Sequence, residues 1–491
     1  MPSEAPPAVA RWSRLAAVAT LAAFVFAARV WLIRAGGSVV PTWDQWDAEA
    51  ALLYPRWLDG TLSFSDLFSG HNEHRIALTR LADLALFAAG GGWNPWAQLL
   101  LNAALHAAAA AGLAAWFWPT LEGRARAGFI AALAVLFSCP AGWQNALWGF
   151  QSQVYFGNLL AVAALGALTL AAPLGRTWWL GWIATLLALF ANAGGTLMAG
   201  AALAVGLVTL RAAPSRRATL VALAALAALI AIGFALKVEV PQHAGLRARS
   251  VGEWLAVFSR CLAWPHVNTG WLAVIVQAPL VVLLLWQWLR GTALDGPTRL
   301  ALALALLSVL HAAAIAHSRG AGLPDHRPLS RYQDPLLLGA AAQAFAACAL
   351  ARLGSPPLRW LAFGWFAVVA AGLITLTETN LTLNLPYKRA QDAASHRLIL
   401  EYRATGRADV FSRDADFRGP HPESATVMRV LDDPRLRRTL PPALLLPADD
   451  PQQRPPAVVR HAPVLAAVAA LALAAALIGA TRVRRATASP G

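Results

Sequence analysis

Long apolar runs, each close to the length of a bilayer crossing, alternate with short polar segments along most of this chain. A bilayer core of about 30 Å takes roughly twenty apolar helical residues to cross. Runs of this kind lie at residues 15–34, 97–118, 127–143, 156–172, 178–193, 196–210, 218–236, 271–289, 299–317, 334–353, 358–376 and 459–480. The pattern predicts an all-α polytopic membrane protein with about 12 transmembrane helices, within a range of roughly 11 to 13.

A further apolar run, residues 76–90, is shorter and carries Arg80 and Asp83. If it crossed the membrane, Arg124 and Arg126 would move to the side opposite the other loop arginines. We therefore predict a buried or interfacial helix in the first outer loop that does not cross.

Arginines at the ends of the predicted spans set the predicted orientation, because positive residues in short loops favour the cytoplasmic side. Alternate loops and the N-terminal region carry Arg11, Arg14, Arg124, Arg126, Arg176, Arg211, Arg216, Arg217, Arg290, Arg299, Arg352, Arg359, Arg482, Arg484 and Arg485. A multi-pass chain with both termini in the cytoplasm satisfies this pattern. The outer face then receives residues 35–96, 144–155, 237–270, 318–333 and 377–458.

This orientation divides the chain into three predicted parts. Residues 1–376 form a multi-span membrane domain, residues 377–458 an extracytoplasmic soluble segment, and residues 459–491 a final transmembrane helix with a basic cytoplasmic tail. The soluble segment has charged stretches such as residues 414–421 and too few apolar residues for a robust core of its own. A small cap over the membrane domain and a largely extended linker both fit its sequence.

Composition and charge exclude other classes of protein. The 491 residues are 58% hydrophobic and 13% charged, with a net charge of +15 and a mean hydropathy of +0.52. A strongly basic chain can bind nucleic acid, but many of these arginines end apolar runs, so we predict no nucleic-acid partner. The three cysteines are far apart and stand beside no histidine at metal-ligand spacing, which argues against a disulfide framework or a zinc site.

The densest group of ionisable residues near the N-terminus lies in residues 41–75, directly after the first predicted span. Thr42 and Gln45 have the spacing of a capping box, so we predict an amphipathic helix in the membrane interface with its tryptophans towards the bilayer. Asp44 and Asp47, three residues apart, would share its flank at the water boundary. A carboxylate held there can act as a general base, with Asp44 the first candidate and Asp47 the second. The alternative is a solvated polar face without chemical function.

A second polar cluster, His71, Glu73, His74 and Arg75, closes the same segment. It lacks the His-x-x-x-His spacing that places two imidazoles around a metal, so we assign no metal ligand and predict substrate contacts, while a divalent cation stays an open alternative. Glu49 points roughly 140° away from Asp44 on an α-helical wheel and ranks third among the acids, with a substrate-binding role. For the histidine cluster the alternative is the polar start of a helix.

Two further candidates lie on the predicted outer face. Arg331, beside Tyr332, stands just before a span, where a guanidinium can bind a phosphate while its stem lies along apolar surface. Gln151 belongs to an amide- and aromatic-rich loop of the kind that suits sugar hydroxyls and rings. The alternative for both is an anchor at the membrane interface.

These motifs together resemble the GT-C superfamily of membrane glycosyltransferases, whose architecture includes the protein O-mannosyltransferases and the lipid A aminoarabinose transferases. The resemblance rests on the acids Asp44, Asp47 and Glu49 after the first span, on the short apolar run that follows, and on the Arg331-Tyr332 pair heading a late span. It covers roughly residues 15–376. The Asp-Glu dipeptide of the protein O-mannosyltransferases is absent.

The resemblance implies transfer of a sugar from a polyprenyl-phosphate carrier to a lipid, glycan or protein acceptor at the outer face of the cytoplasmic (inner) membrane, among membrane lipids. A carboxylate would take the proton of the acceptor, and arginines and histidines would hold the lipid phosphate. Some members of the superfamily use a divalent metal.

A transporter or flippase for a lipid-linked or anionic substrate is the alternative function, and a membrane scaffold without catalysis is a third. A transporter needs ionisable residues or broken helices near the middle of spans. The hints in this chain are Asn102, His106, Asn192, His311 and Gln343. The chemically capable residues concentrate instead at the edges of the outer loops, which favours the enzyme.

Overall fold

The computed structural model describes residues 8–412, 419–447 and 450–482. Helices dominate, which confirms the predicted all-α polytopic membrane fold. The α-helices are α1 Ala8–Gly36, α2 Tyr54–Leu58, α3 Phe64–Phe68, α4 Ala77–Gly90, α5 Pro95–Phe117, α6 Gly123–Ser138, α7 Trp143–Leu147, α8 Ser152–Leu170, α9 Arg176–Ala188, α10 Gly195–Thr209, α11 Arg216–Ala235, α12 Val251–Leu262, α13 Ala273–Leu289, α14 Gly296–Arg319, α15 Leu337–Arg352, α16 Pro356–Thr379, α17 Leu385–Thr405, α18 Ser424–Asp432, α19 Pro434–Arg437, α20 Ala457–Arg460 and α21 Ala462–Arg482.

Short π-helical and 3-10 segments and one hairpin join these helices. The π-helical segments are Gln45–Leu53 and Asn380–Asn384. The 3-10 segments are Pro140–Gly142, Gly149–Gln151, Leu210–Ala212, Pro241–Leu246, Gly270–Leu272, Pro324–His326, Ser330–Tyr332, Asp334–Leu336, Ala408–Ser412, Pro442–Leu445 and Pro451–Gln453. The hairpin pairs β1 Gly70–His71 with β2 His74–Arg75 in antiparallel register.

Among the described residues, 11 helices are long and apolar enough to cross a membrane. They are Trp12–Gly36, Pro95–Phe117, Gly123–Leu147, Gly149–Leu170, Gly195–Ala212, Arg216–Ala235, Gly270–Leu289, Gly296–Arg319, Asp334–Arg352, Pro356–Thr405 and Ala462–Ala480. The number lies within the predicted range. The predicted span that is missing from this set is residues 178–193.

That segment contains α9, which has only 13 residues because the chain leaves the α-helix through i→i−3 turns directly after Ala188. The helix nevertheless runs antiparallel along α8. Gly181 packs on Ala167, and Asn192 Nδ2 donates to the carbonyl of Gln153 at 2.9 Å. The chain therefore returns to the end at which α8 begins, although α9 is too short to qualify as a span by its length.

The short apolar run at residues 76–90 forms α4, which has 14 residues. At 1.5 Å per residue it is about 21 Å long, less than a bilayer core. It is not among the helices that qualify as spans, in agreement with the prediction that it does not cross. Arg80 and Asp83 are 2% and 1% exposed, so the polar groups of α4 point into the protein.

The predicted amphipathic helix at the membrane interface is wrong in its geometry. Gln45–Leu53 is π-helical, Trp43 precedes it with a φ of 48°, and Trp46 is fully buried in the protein instead of facing the bilayer. In a π-helix each hydrogen bond reaches one residue further than in an α-helix. The α-helical wheel that placed the tryptophans on one face therefore does not apply.

The 35–96 and 377–458 segments share one hydrophobic cluster. Its buried members come from both segments: Val40, Trp46, Ala50, Leu53, Tyr54, Leu84, Phe87, Trp93, Ile399, Tyr402, Val410, Phe411, Val427, Val430, Leu431, Leu436, Leu440 and Leu444. Asp59 also forms ion pairs with Arg435 and Arg438 across this contact. The later segment is thus folded, and its apolar residues pack on the earlier one. The charged stretch at 413–418 and the basic tail with Arg484 and Arg485 lie outside the described residues.

The segments that we predict to be outer contact one another on one face of the helix bundle. We call this face the loop face. The N–H of Trp43 donates to the carbonyl of Pro420 at 2.9 Å. Glu73 lies 2.7 Å from Arg319 and 2.6 Å from His243. Together with bonds between the loops before α8 and α15, these contacts unite residues 35–96, 144–155, 237–270, 318–333 and 377–458.

Candidate functional site

Asp44 stands on the loop face at the start of the π-helix, and the turn before it sets its direction. Trp43 has a left-handed φ of 48°, which is unfavourable for a bulky residue. The hydrogen bond from its N–H to the carbonyl of Pro420 stabilises this turn. The 377–458 segment therefore helps to position the first candidate base.

Asp44 is a partly exposed carboxylate among polar neighbours. The Asp44 side chain is 33% exposed, and its Oδ1 lies 3.4 Å from His71 Nε2. The same oxygen accepts a weak bond from Asn72 Nδ2 at 3.5 Å. Burial by itself raises the pKa of Asp44, but the bonds to His71 and Asn72 and the charge of Arg331 outweigh burial and hold the pKa below its usual value. Asp44 is therefore ionised at neutral pH, the state in which it can accept a proton.

Asp47 pairs with a histidine that the sequence did not indicate. Its Oδ2 lies 2.8 Å from His421 Nε2, and the other ring nitrogen, Nδ1, lies 3.0 Å from the backbone carbonyl oxygen of Glu423. Burial lowers the pKa of His421. The hydrogen bond to Asp47, the bond to the Glu423 backbone and the negative charge of Asp47 raise this pKa by more than burial lowers it, so the net pKa lies above its usual value. His421 orients Asp47, although the two residues are 374 positions apart in the sequence. No sequence motif spans such a separation, so the pair could not be predicted from residue spacing.

The guanidinium of Arg331 lies against two aromatic rings. Its central carbon is 5.8 Å from the ring centre of Trp43 and 5.2 Å from that of Tyr332. Its backbone is held by Gln144 Oε1, which accepts the N–H at 3.2 Å, and by Asn145 Nδ2, which donates to the carbonyl at 3.0 Å. Cation–π contacts occupy the face of a guanidinium, so its N–H edge stays available for an anion.

Glu73 joins three loops. Its Oε1 accepts bonds from His243 Nδ1 at 2.6 Å and from Arg319 Nη2 at 2.7 Å. Burial raises the pKa of Glu73, but these bonds and the charge of Arg319 lower it to about 2. Arg319 Nε also donates to the hydroxyl of Tyr332 at 3.2 Å. The structure thus places Glu73 and Tyr332 in the framework that holds the loops together.

His74 and Arg75 also belong to this framework. Burial lowers the pKa of His74, whose Nδ1 accepts the N–H of Ala193 at 3.3 Å. Arg75 donates to the carbonyl of Leu236 at 3.0 Å and to that of Phe68 at 2.8 Å. Both side chains bind main-chain groups and fasten the hairpin to the helix bundle.

Glu49 faces the protein interior and forms an acid pair with Asp83. Both are 1% exposed, and Gln98 Nε2 donates to Glu49 Oε2 at 3.1 Å and to Asp83 Oδ1 at 2.8 Å. The other carboxylate oxygens, Glu49 Oε1 and Asp83 Oδ2, have no hydrogen-bond partner. Burial, with the neighbouring charge for Glu49, raises the pKa of both acids, to about 7 for Asp83. The pair therefore retains a proton near neutral pH, away from the open surface.

Gln151 supports the site only through a neighbour. It is 7% exposed and accepts a bond from Gln153 Nε2 at 3.5 Å. The adjacent Phe150 packs edge-on against the imidazole of His71, with ring centres 5.0 Å apart. The amide-rich loop thus packs beneath His71 through Phe150.

A buried polar network lies beneath Arg331. Arg29 is 2% exposed, and its Nη2 is 2.7 Å from His106 Nε2 and 3.7 Å from Asp334 Oδ1. Asn145 Nδ2 donates both to Asp334 Oδ2 at 2.8 Å and to the carbonyl of Arg331. An arginine inside an apolar run is the signal that points to such a network in a sequence.

A cavity of about 380 Å³ opens next to the Asp47–His421 pair. It is lined by Phe411, Gly419, Pro420, His421, Pro422, Ser424 and Val427. Pockets for small ligands start at about 300 Å³, so the space suits part of an organic substrate. In the part of the chain that the structure describes, no three His, Cys, Asp or Glu side chains are placed to hold a metal ion.

Comparison of the chain with protein-family models, with curated proteins and with solved structures finds no match.

Proposed function

We propose that the protein is a membrane glycosyltransferase that moves a sugar from a polyprenyl-phosphate carrier to an acceptor at the loop face, on the outer side of the cytoplasmic membrane. The observation that supports this most directly is the meeting of an ionised carboxylate and an available guanidinium. Asp44 follows Trp43 in the chain, and the ring of Trp43 lies beside Arg331. A general base and a phosphate-binding group thus share one site.

In the proposed reaction, Asp44 takes the proton of an acceptor hydroxyl or amine as that oxygen or nitrogen attacks the anomeric carbon of the sugar. The bond from the anomeric carbon to the phosphate oxygen breaks, and its electron pair leaves with the polyprenyl phosphate. Arg331 stabilises the charge that develops on the phosphate. Asp47, oriented by His421 at 2.8 Å, contacts the acceptor beside the cavity.

The test is a deletion strain complemented with single variants, with lipid-linked and surface glycans read by mass spectrometry. Asp44→Asn keeps the shape of the side chain and removes its basicity, so transfer should fall by about 10²–10⁴ while protein level and insertion stay unchanged. Glu239→Gln is the matched control, because Glu239 is a loop-face acid with 76% exposure. If Asp44→Asn and Asp47→Asn both restore the full glycan profile, the proposed mechanism is wrong.

A transporter of a lipid-linked sugar is the second candidate, and the buried Arg29–His106–Asp334 network favours it, because ionisable groups inside a bundle mark transport paths. The two functions differ in where the sugar lipid accumulates after gene deletion. Loss of a transferase leaves the lipid in the outer leaflet, whereas loss of a transporter leaves it in the cytoplasmic leaflet. A leaflet-specific probe of the sugar lipid separates them.

A further inference from the structure

A second cavity lies where α1, α17 and α21 meet. Its volume is about 300 Å³, and it is lined by Trp31, Arg34, Ala35, Arg389 and Pro463. It shares no lining residue with the site around Asp44 or with the cavity beside His421. Its position and its chemistry therefore call for a separate explanation.

Both arginines of this cavity are anchored to main-chain groups. Arg34 Nη1 donates to the carbonyl of Arg460 at 2.9 Å, and Arg389 Nε donates to the carbonyl of Ala35. No acidic side chain lines the cavity, and no carboxylate among the described residues forms an ion pair with either guanidinium. A guanidinium has five N–H donors, and each of these main-chain bonds uses one of them. Most donors of the two arginines are therefore available to a ligand, and the cavity carries two positive charges.

The cavity opens at the edge of the predicted bilayer. Trp31, near the end of α1, is 40% exposed, and Pro463 lies in the first turn of α21. Below that turn α21 exposes the apolar side chains of Val464, Val468 and Leu471. Tryptophan and arginine at this depth suit the headgroup region of a membrane, and the apolar face of α21 suits acyl chains.

We infer that this cavity binds the phosphate of an anionic phospholipid, with Arg34 and Arg389 donating to the phosphate oxygens and the acyl chains lying along α21. The planar guanidinium matches phosphate geometry, whereas the choline of a zwitterionic lipid would meet two like charges. The volume lies at the lower end of the range of about 300–1,000 Å³ for ligand pockets, so it holds a headgroup. Since no reactive acid or imidazole lines the cavity, the lipid is a bound structural partner and not a substrate.

Native mass spectrometry of the full-length protein in detergent, titrated with phosphatidylglycerol or phosphatidylcholine, tests this inference. Wild type should prefer phosphatidylglycerol. A double variant with Arg34→Gln and Arg389→Gln should bind it at least about tenfold more weakly, because two charge-assisted bonds are lost. Arg290→Gln is the control, because Arg290 also ends a span beside a tryptophan, 4.9 Å from the ring of Trp286, but lines neither of the two cavities.

Equal affinity of wild type and the double variant for phosphatidylglycerol would overturn the inference, as would equal affinity of wild type for the two lipids. If glycerol 3-phosphate competes as strongly as the lipid, the cavity is a site for free anions instead. If the cavity prefers polyprenyl phosphate, it belongs to the sugar donor. If the glutamine variant does not fold, the pair Arg34→Lys and Arg389→Lys keeps both charges and removes the guanidinium geometry. It should bind phosphatidylglycerol several-fold more weakly, and wild-type affinity would contradict the inference.

Discussion

Replacing Asp83 by asparagine should remove most of the pH dependence of stability that the buried acid pair creates. In the wild type, Gln98 Nε2 donates to Asp83 and Glu49 together, and burial raises the pKa of Asp83 from 3.8 to about 7. The folded state therefore holds a proton that the unfolded chain releases near its ordinary pKa. An asparagine keeps an acceptor for Gln98, adds a donor that can face Glu49, and carries no charge.

The sign and size of the effect follow from the pKa. Because the folded-state pKa is raised, the stabilising contribution is complete below the unfolded value and is lost as the pH rises through the folded value. A rise from 3.8 to about 7 corresponds to roughly 4 kcal/mol in total, at about 1.4 kcal/mol for each pH unit. From about pH 5 to pH 7 the wild type should thus lose roughly 2 kcal/mol from this group alone.

Thermal unfolding in detergent, followed by the fluorescence of the 21 tryptophans at a series of pH values, measures this dependence. The melting temperature of the wild type should fall as the pH rises from acidic to neutral, and the curve of Asp83→Asn should be flatter and higher near neutral pH. Glu49→Gln should flatten the curve in the same way. Glu239→Gln removes an exposed acid and should keep the wild-type slope. A wild-type slope in both Asp83→Asn and Glu49→Gln would refute the assignment of this pH dependence to the buried acid pair.

Three further predictions concern the site and the topology. Arg331→Lys keeps the positive charge but loses the planar arrangement of N–H donors, so binding of a polyprenyl-phosphate sugar should weaken by roughly 1–3 kcal/mol in native mass spectrometry. Unchanged affinity in Arg331→Ala would leave Arg331 as a membrane anchor. Gly142→Ala places a Cβ 2.2 Å from Asp334 Oδ2 and should destabilise the protein by about 1–3 kcal/mol in thermal unfolding, whereas Gly245→Ala, with no atom within 4 Å of its Cβ, should be neutral. Since all three native cysteines are buried, a membrane-impermeant thiol reagent on intact cells should label Gly245→Cys but not Ala293→Cys, and the reverse pattern would invert the predicted orientation.

Hydropathy and arginine spacing were sufficient to predict the helical membrane fold, because a helix satisfies its backbone hydrogen bonds within one apolar run. The same local rule explains the short α4. It failed at α9, where tight turns directly after Ala188 end an apolar helix that still packs along α8. It also failed at Gln45–Leu53, since apolar spacing does not separate a π-helix from an α-helix.

For the site, residue types and spacing alone indicated the segment that carries acids next to the first span, with Asp44 and Asp47 as the first candidates. Their partners became visible only in the folded chain. His421 meets Asp47 because segments far apart in the chain pack together, and Gln98 bonds both Glu49 and Asp83 where the first outer loop folds back on α5. The same packing buries Glu49, and it places Glu73 and Arg75 in hydrogen bonds that hold the loops together. Hydropathy is a property of neighbouring residues, whereas a side-chain hydrogen bond or a buried charge depends on which distant segment lies against it.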